Sequence, residues 1–154
     1  HACGNGQGEV VKVLLEKDKD SVNSMNDDGE TPLLLAVKRS NLVIVPLLLA
    51  AGAKPEQADL NGVLPLHIAA AGGELFVAKA LIGAGAQIDA KTTEGQTPLI
   101  LAARYGRNDV TAILTEAGAD VNAVDNEQHS ALYYATEAGF AEIVEQLLMA
   151  GAEN

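Results

Sequence analysis

GQTPLILAA occupies residues 95–103, and three other stretches repeat its pattern: GETPLLLAV (29–37), GVLPLHIAA (62–70) and QHSALYYAT (128–136). Thr31, Leu64, Thr97 and Ser130 therefore stand 33 residues apart, and a closing glycine keeps the same beat at Gly52, Gly85, Gly118 and Gly151. Self-similarity at a fixed period of this size indicates stacked supersecondary units, each too small to bury its own apolar face. One unit, residues 92–124, shows the local logic. TTEGQ has the glycine and polar residues of a tight turn, and Thr97 is placed to cap a helix entered at Pro98, where a missing N–H costs nothing. Leu99, Ala102 and Ala103 fall on one helical face, and Gly106 ends that helix. Asn108 and Asp109 open a second helix with Val110, Ile113 and Leu114 as its apolar stripe, and Gly118 stops it.

Working outward, each unit has a glycine or serine nine residues after the Thr position (Ser40, Gly73, Gly106, Gly139), then an apolar run, then GA and a polar tail, most fully GADVNA at 118–123. An incomplete unit lies upstream, with Ala2 and Cys3 in small-residue slots, Gly6 in the glycine slot and Val10, Val11, Leu14 and Leu15 as the second apolar run. These residues resemble the ankyrin repeat, whose signature is T-P-L-H-x-A at 33-residue spacing. The resemblance covers the whole chain and implies an all-α repeat fold: an ankyrin-like solenoid of stacked helix-turn-helix units with protruding hairpin loops. It divides one domain, residues 1–154, into repeats at approximately 1–25, 26–58, 59–91, 92–124 and 125–154. Two departures stand out. Pro46 lies within a second helix and removes one backbone bond unless that helix starts late, near Val43. The fifth unit has Ser130, Ala131 and Gln128 in place of Thr, Pro and the turn glycine, and Glu137, Glu142, Glu145 and Gln146 suit the polar outer layer of a terminal repeat.

Aromatic residues make up only 3% of the chain, so Leu, Val, Ile and Ala must supply the core, which suits helices packed closely over small side chains. Ten basic against 21 acidic residues give a formal charge of −11, and the basic residues are scattered. A nucleic-acid binder needs a cationic face to release phosphate counterions, so nucleic acid is excluded as the expected partner, and an anionic membrane surface with it. No apolar run approaches the roughly 18 residues needed to span a bilayer. The single cysteine, Cys3, forms no internal disulfide, and its slot wants a small buried side chain. Compartment stays open: cytoplasmic is the default, and a signal peptide before His1 would make the protein periplasmic or secreted.

Catalytic and metal-binding patterns are missing. His1, His67 and His129 lie in different units and, with one cysteine, match no ligand spacing, so neither a metal nor a cofactor is expected. The family resemblance gives His67 a structural task, tying neighbouring turns through backbone hydrogen bonds. Asp27 and Asp28 are adjacent in a turn and point apart, and the glycine-rich stretches at 4–8 and 83–86 lack the context of a phosphate loop. No nucleophile has a base placed to serve it, and the chain is read as a non-enzyme.

The resemblance also implies where a partner would touch: hairpin tips and exposed positions late in each first helix, together one concave surface. Carried onto this sequence, the contact set is Asp27, Asp28, Glu30, Lys38, Arg39, Leu60, Asn61, Val63, Glu94, Gln96, Arg104, Tyr105 and His129. Leu60 and Val63 are apolar where polar residues would be solvated freely. Arg104 and Tyr105 belong to the types most enriched in binding hot spots. Phe76, Phe140, Tyr133 and Tyr134 are expected to pack against neighbours. The function so read is non-catalytic binding of a folded protein partner, one with basic patches facing the acidic fingers, by a chain that is monomeric alone. A dedicated inhibitor or immunity protein is the leading form, and an adaptor or scaffold segment of a longer repeat protein is the alternative.

Overall fold

The computed structural model describes residues 25–152, which form four helix pairs. These are α1 Pro32–Lys38 with α2 Ile44–Ala50, α3 Pro65–Gly72 with α4 Leu75–Gly83, α5 Pro98–Arg104 with α6 Asn108–Glu116, and α7 Ala131–Ala138 with α8 Ala141–Met149. The upstream unit, with Ala2, Cys3 and His1, lies outside the described residues. Odd-numbered helices pack on odd-numbered ones and even on even, giving an inner and an outer layer. Ala36, Ala69, Ala102 and Ala135, at one slot of successive inner helices, are fully buried, and their small side chains let those helices approach closely. Leu33, Leu66, Leu99 and Leu132 fill the space beneath, and Ile44, Val77, Val110 and Ile143 meet them from the outer layer.

Each inner helix starts with a local device. The hydroxyls of Thr31, Thr97 and Ser130 accept from the backbone N–H of Leu34 (3.2 Å), Ile100 (3.1 Å) and Tyr133 (3.2 Å). Leu64 has no hydroxyl, and there His67 does the work: its Nδ1 accepts from the Leu64 N–H at 3.0 Å, which places the ring proton on Nε2. That Nε2–H reaches the carbonyls of Ala90 at 2.8 Å and Gln96 at 3.1 Å, tying one repeat to the turn of the next as the resemblance implied. Burial lowers the His67 pKa, with the two backbone bonds opposing, so the ring is neutral in the fold. Pro46 falls in the first turn of α2, which starts late, after Val43, while Asn41 Oδ1 accepts from the N–H groups of Val43 and Ile44. Its missing N–H therefore costs little.

Candidate partner-binding face

Four fingers project from the inner layer, and a side-chain oxygen at one repeated position shapes each of them. Asn26, Asp59, Thr92 and Asp125, again 33 apart, accept through a side-chain oxygen from the N–H groups two and four residues on, at 2.8–3.3 Å. Neighbouring fingers are laced together by Thr93 N–H to the Asn61 carbonyl (3.0 Å), Asn126 N–H to the Glu94 carbonyl (3.0 Å) and the Asn126 amide to the Thr93 carbonyl (2.9 Å). The last three fingers are thus joined into one edge rather than being independent loops.

The predicted contact residues divide sharply in this setting. Asp27, Asp28, Arg39, Asn61, Glu94, Arg104 and Tyr105 are exposed, and so is Leu60, at 74%. Leu60 nevertheless leans on the preceding finger, its Cγ lying 3.2 Å from where a side chain on Gly29 would begin. Val63, Gln96 and His129 are half-buried, so Val63 is a weaker apolar feature than its turn position suggests. Lys38 is not a free cation: it is ion-paired with half-buried Glu30, whose carboxyl the Lys38 ammonium and the Asn26 amide hold below the usual range. The expected basic ridge reduces to Arg39 and Arg104.

Two aromatic expectations change. Phe76 is 73% exposed on the first turn of α4, whereas Phe140 is half-buried and packs on Gly106. Tyr133 is 41% exposed because its slot, filled by buried Leu34, His67 and Ile100 in the preceding repeats, is covered there by the next repeat along. Leu148 and Met149 are exposed at the same end, so the polar layer of Glu137, Glu142 and Glu145 is not the whole of that face.

A ring cluster results where the last finger meets the inner helices. His129 stacks on Tyr133 with centroids 3.9 Å apart and 6° between planes, and Tyr134 meets both edge-on at 5.6 and 5.5 Å. The Arg104 guanidinium sits 5.3 Å from the Tyr134 centroid and 5.7 Å from that of Tyr105. Tyr134 donates its hydroxyl to buried Asp125. Burial pushes the Asp125 carboxyl up, but the bonds from Tyr134 and from the His129 and Glu127 N–H groups outweigh it and hold the group below the usual range. Burial and the Asp125 carboxylate push the Tyr134 hydroxyl up to about 12. His129 Nδ1 is buried without a hydrogen bond, 3.8 Å from Glu127. Sequence reading found Arg104, Tyr105 and His129 but treated Tyr133 and Tyr134 as packing, although all five belong to this cluster.

On the opposite layer, Leu42, Val45, Pro46, Phe76, Val77 and Ala80 line an apolar groove of about 440 Å³. Among the described residues no three His, Cys, Asp or Glu side chains come together as a metal site, and no helix is long and apolar enough to cross a membrane.

The pattern of repeated pairs, three capped by hydroxyls and one by His67, defines a class of stacked-repeat proteins, and comparison with known families places the chain within it. The family model for ankyrin repeats (three copies) matches residues 1–92 and 66–154. The chain belongs to the ankyrin repeat family, whose members are generally protein–protein interaction modules rather than catalysts. It is similar to the rat Ankyrin repeat and SAM domain-containing protein 6, 37% identical over 59 residues that cover 38% of this chain and 7% of that protein. It is also similar to the ANK repeat-containing protein nipk-1 of Caenorhabditis elegans, 36% identical over 70 residues, with 38% of this chain and 12% of that protein covered. The chain thus spans a small fraction of the length of these curated relatives.

Proposed function

We propose that this protein binds a folded protein partner through the concave face made by its fingers and inner helices, with the contact centred on Arg104, Tyr105, Leu60 and the ring cluster beside them. The observation that carries the reading is the exposure of Tyr105 (49%) beside exposed Arg104 on the inner-helix face, in a chain with only 3% aromatic residues. Rings and guanidinium groups held rigid on a surface lose little freedom on binding, which is why Tyr and Arg dominate hot spots. Of the predicted contact set, Asp27, Asp28, Arg39, Asn61, Glu94 and Gln96 border this centre, while Glu30 and Lys38, satisfied by each other, contribute shape more than charge.

The test begins with affinity capture from the native source and mass spectrometry of what co-purifies, followed by reconstitution from purified components. Arg104→Ala and Tyr105→Ala should each weaken the complex at least tenfold at unchanged melting temperature, in line with the roughly 2 kcal/mol that defines a hot spot. Unchanged affinity in both variants moves the site elsewhere. Assaying the partner's own activity in the complex separates an inhibitor from a scaffold: inhibition supports the dedicated-inhibitor reading, and full activity supports the scaffold.

A further inference from the structure

Successive repeats set a finger residue, one before the Thr position, near an inner-helix residue seven after it. In the first described pair these slots hold Glu30 and Lys38, and the two are ion-paired. In the third they hold Gln96 and Arg104. The chain keeps the cation there and replaces its carboxylate with an amide. Among the described residues Arg104 forms no ion pair. Asp125, which shares Tyr134 with it, already accepts from the Tyr134 hydroxyl and from the N–H groups of Glu127 and His129. Its guanidinium carbon instead lies over two rings, 5.3 Å from the Tyr134 centroid and 5.7 Å from that of Tyr105. Ring contacts hold a guanidinium in place without consuming its N–H donors.

We propose that Arg104 is an anchor for a carboxylate of the partner protein, which supplies from outside what Glu30 supplies to Lys38 from within. This inference rests on the concave-face reading above. The guanidinium fork matches a carboxylate in bidentate geometry, and the rings pre-order it so that little side-chain freedom is lost on docking. Covering by the partner removes water from a pair that is weak while exposed and stronger once desolvated. Glu94 and Glu127 on the adjoining fingers are exposed carboxylates that repel an extended acidic surface. The site therefore selects one carboxylate set in an otherwise neutral or basic surface.

The test uses a display library of random 12-residue peptides, presented once with free C-termini and once with the C-terminus fused to the display protein, which separates a side-chain carboxylate from a terminal one. Binders to the wild-type chain should share an acidic group at one position and protect residues 97–105 and 129–138 from hydrogen exchange. For a representative synthetic peptide, Arg104→Gln should weaken binding at least tenfold, converting the peptide's carboxylate to an amide should do the same, and both changes together should cost little more than either alone. Gln96→Glu, which rebuilds the arrangement of the first described repeat, should fill Arg104 internally and also weaken binding. Peptides that protect these residues but share no acidic group, or whose affinity ignores Arg104→Gln, overturn the anchor and leave the concave-face reading standing. A library without carboxylate-selected binders also overturns the anchor, and binders that protect only the outer helices overturn both readings.

Discussion

Gly29, Gly62 and Gly95 turn three of the fingers at φ of 77°, 73° and 81°, and Gln128 turns the fourth at 67°. Two constraints act at Gly95. The backbone is left-handed, and a side chain there would begin 2.5 Å from Asn126 Oδ1 and 2.9 Å from the Asn126 backbone nitrogen. Gly95→Ala should therefore destabilise the protein by about 2 kcal/mol, the left-handed cost for a residue with a Cβ plus displacement of the next finger, read as a lower denaturant midpoint. Gln128 carries the backbone strain in the last described finger. Gln128→Gly relieves that strain against the greater flexibility glycine brings to the unfolded chain, and a net gain of about 0.5 kcal/mol is expected. A loss of stability at Gln128→Gly would mean that its side chain holds the ring cluster's finger in place. At this scale the sequence reading identified Leu60, Arg104 and Tyr105 as exposed because their slots are exposed in any repeat. It missed Tyr133 because exposure there depends on whether another repeat packs over that slot, and it missed the Glu30–Lys38 pair because, of the four described repeats, only the first fills those two slots with Glu and Lys. The side chains that shape the fingers, at 26, 59, 92 and 125, also keep the 33-residue beat, but of these the sequence reading placed only Thr92 in a tight turn.

Between elements, His67 is a three-way tie: one ring caps α3 and grips the carbonyls of Ala90, at the end of its own repeat, and Gln96, in the turn of the next. The ring is buried and neutral in the fold, and its pKa lies below the 6.5 expected in the unfolded chain. The unfolded state therefore takes up a proton first as pH falls. The stability this group contributes is present above about pH 6.5 and is lost progressively as pH drops toward and through the lower folded value. A comparison with His67→Leu isolates the effect, since leucine fills the same slot at Leu34. The variant should be less stable at pH 7 by roughly 2–4 kcal/mol, because the Ala90 and Gln96 carbonyls and the Leu64 N–H lose their partner. Its stability should also fall less between pH 6.5 and 5 than the wild type's, whose extra slope is at most one proton, about 1.4 kcal/mol per pH unit. Parallel pH profiles for the two proteins would show that His67 keeps its ordinary pKa. The helix pairs were readable from spacing alone, whereas Pro46 left open whether α2 loses a backbone bond or starts late, and it starts at Ile44. The outer layer was less so, because Val43 and Phe76 hold a first-turn slot that Asp109 and Glu142 fill with charge in later repeats, and an apolar residue at such a slot reads as core.

At the scale of all the described residues, the proposed binding face carries carboxylates along its fingers, and its inner helices carry Arg39 and Arg104 together with Glu137 on α7. Asp27, Asp28, Glu94 and Glu127 are exposed along the finger edge, while Arg39 and Arg104 lie on the inner helices and Lys38 is neutralised by Glu30. A partner suited to both features brings basic residues to the fingers and a carboxylate to Arg104, which fixes its orientation as well as its approach. Long-range attraction of this kind accelerates encounter more than it slows release. Asp27→Lys with Asp28→Lys should leave the fold unchanged, because both side chains are exposed and the finger is held by Asn26 instead. Association with the partner, followed by stopped-flow mixing, should slow several-fold in low salt with a nearly constant dissociation rate. The gap between variant and wild type should narrow as ionic strength rises and the Debye length falls below about 8 Å. Equal association rates in low salt would remove steering by the fingers from the binding mechanism, and faster association by the reversed variant would show that an acidic partner surface meets the finger edge.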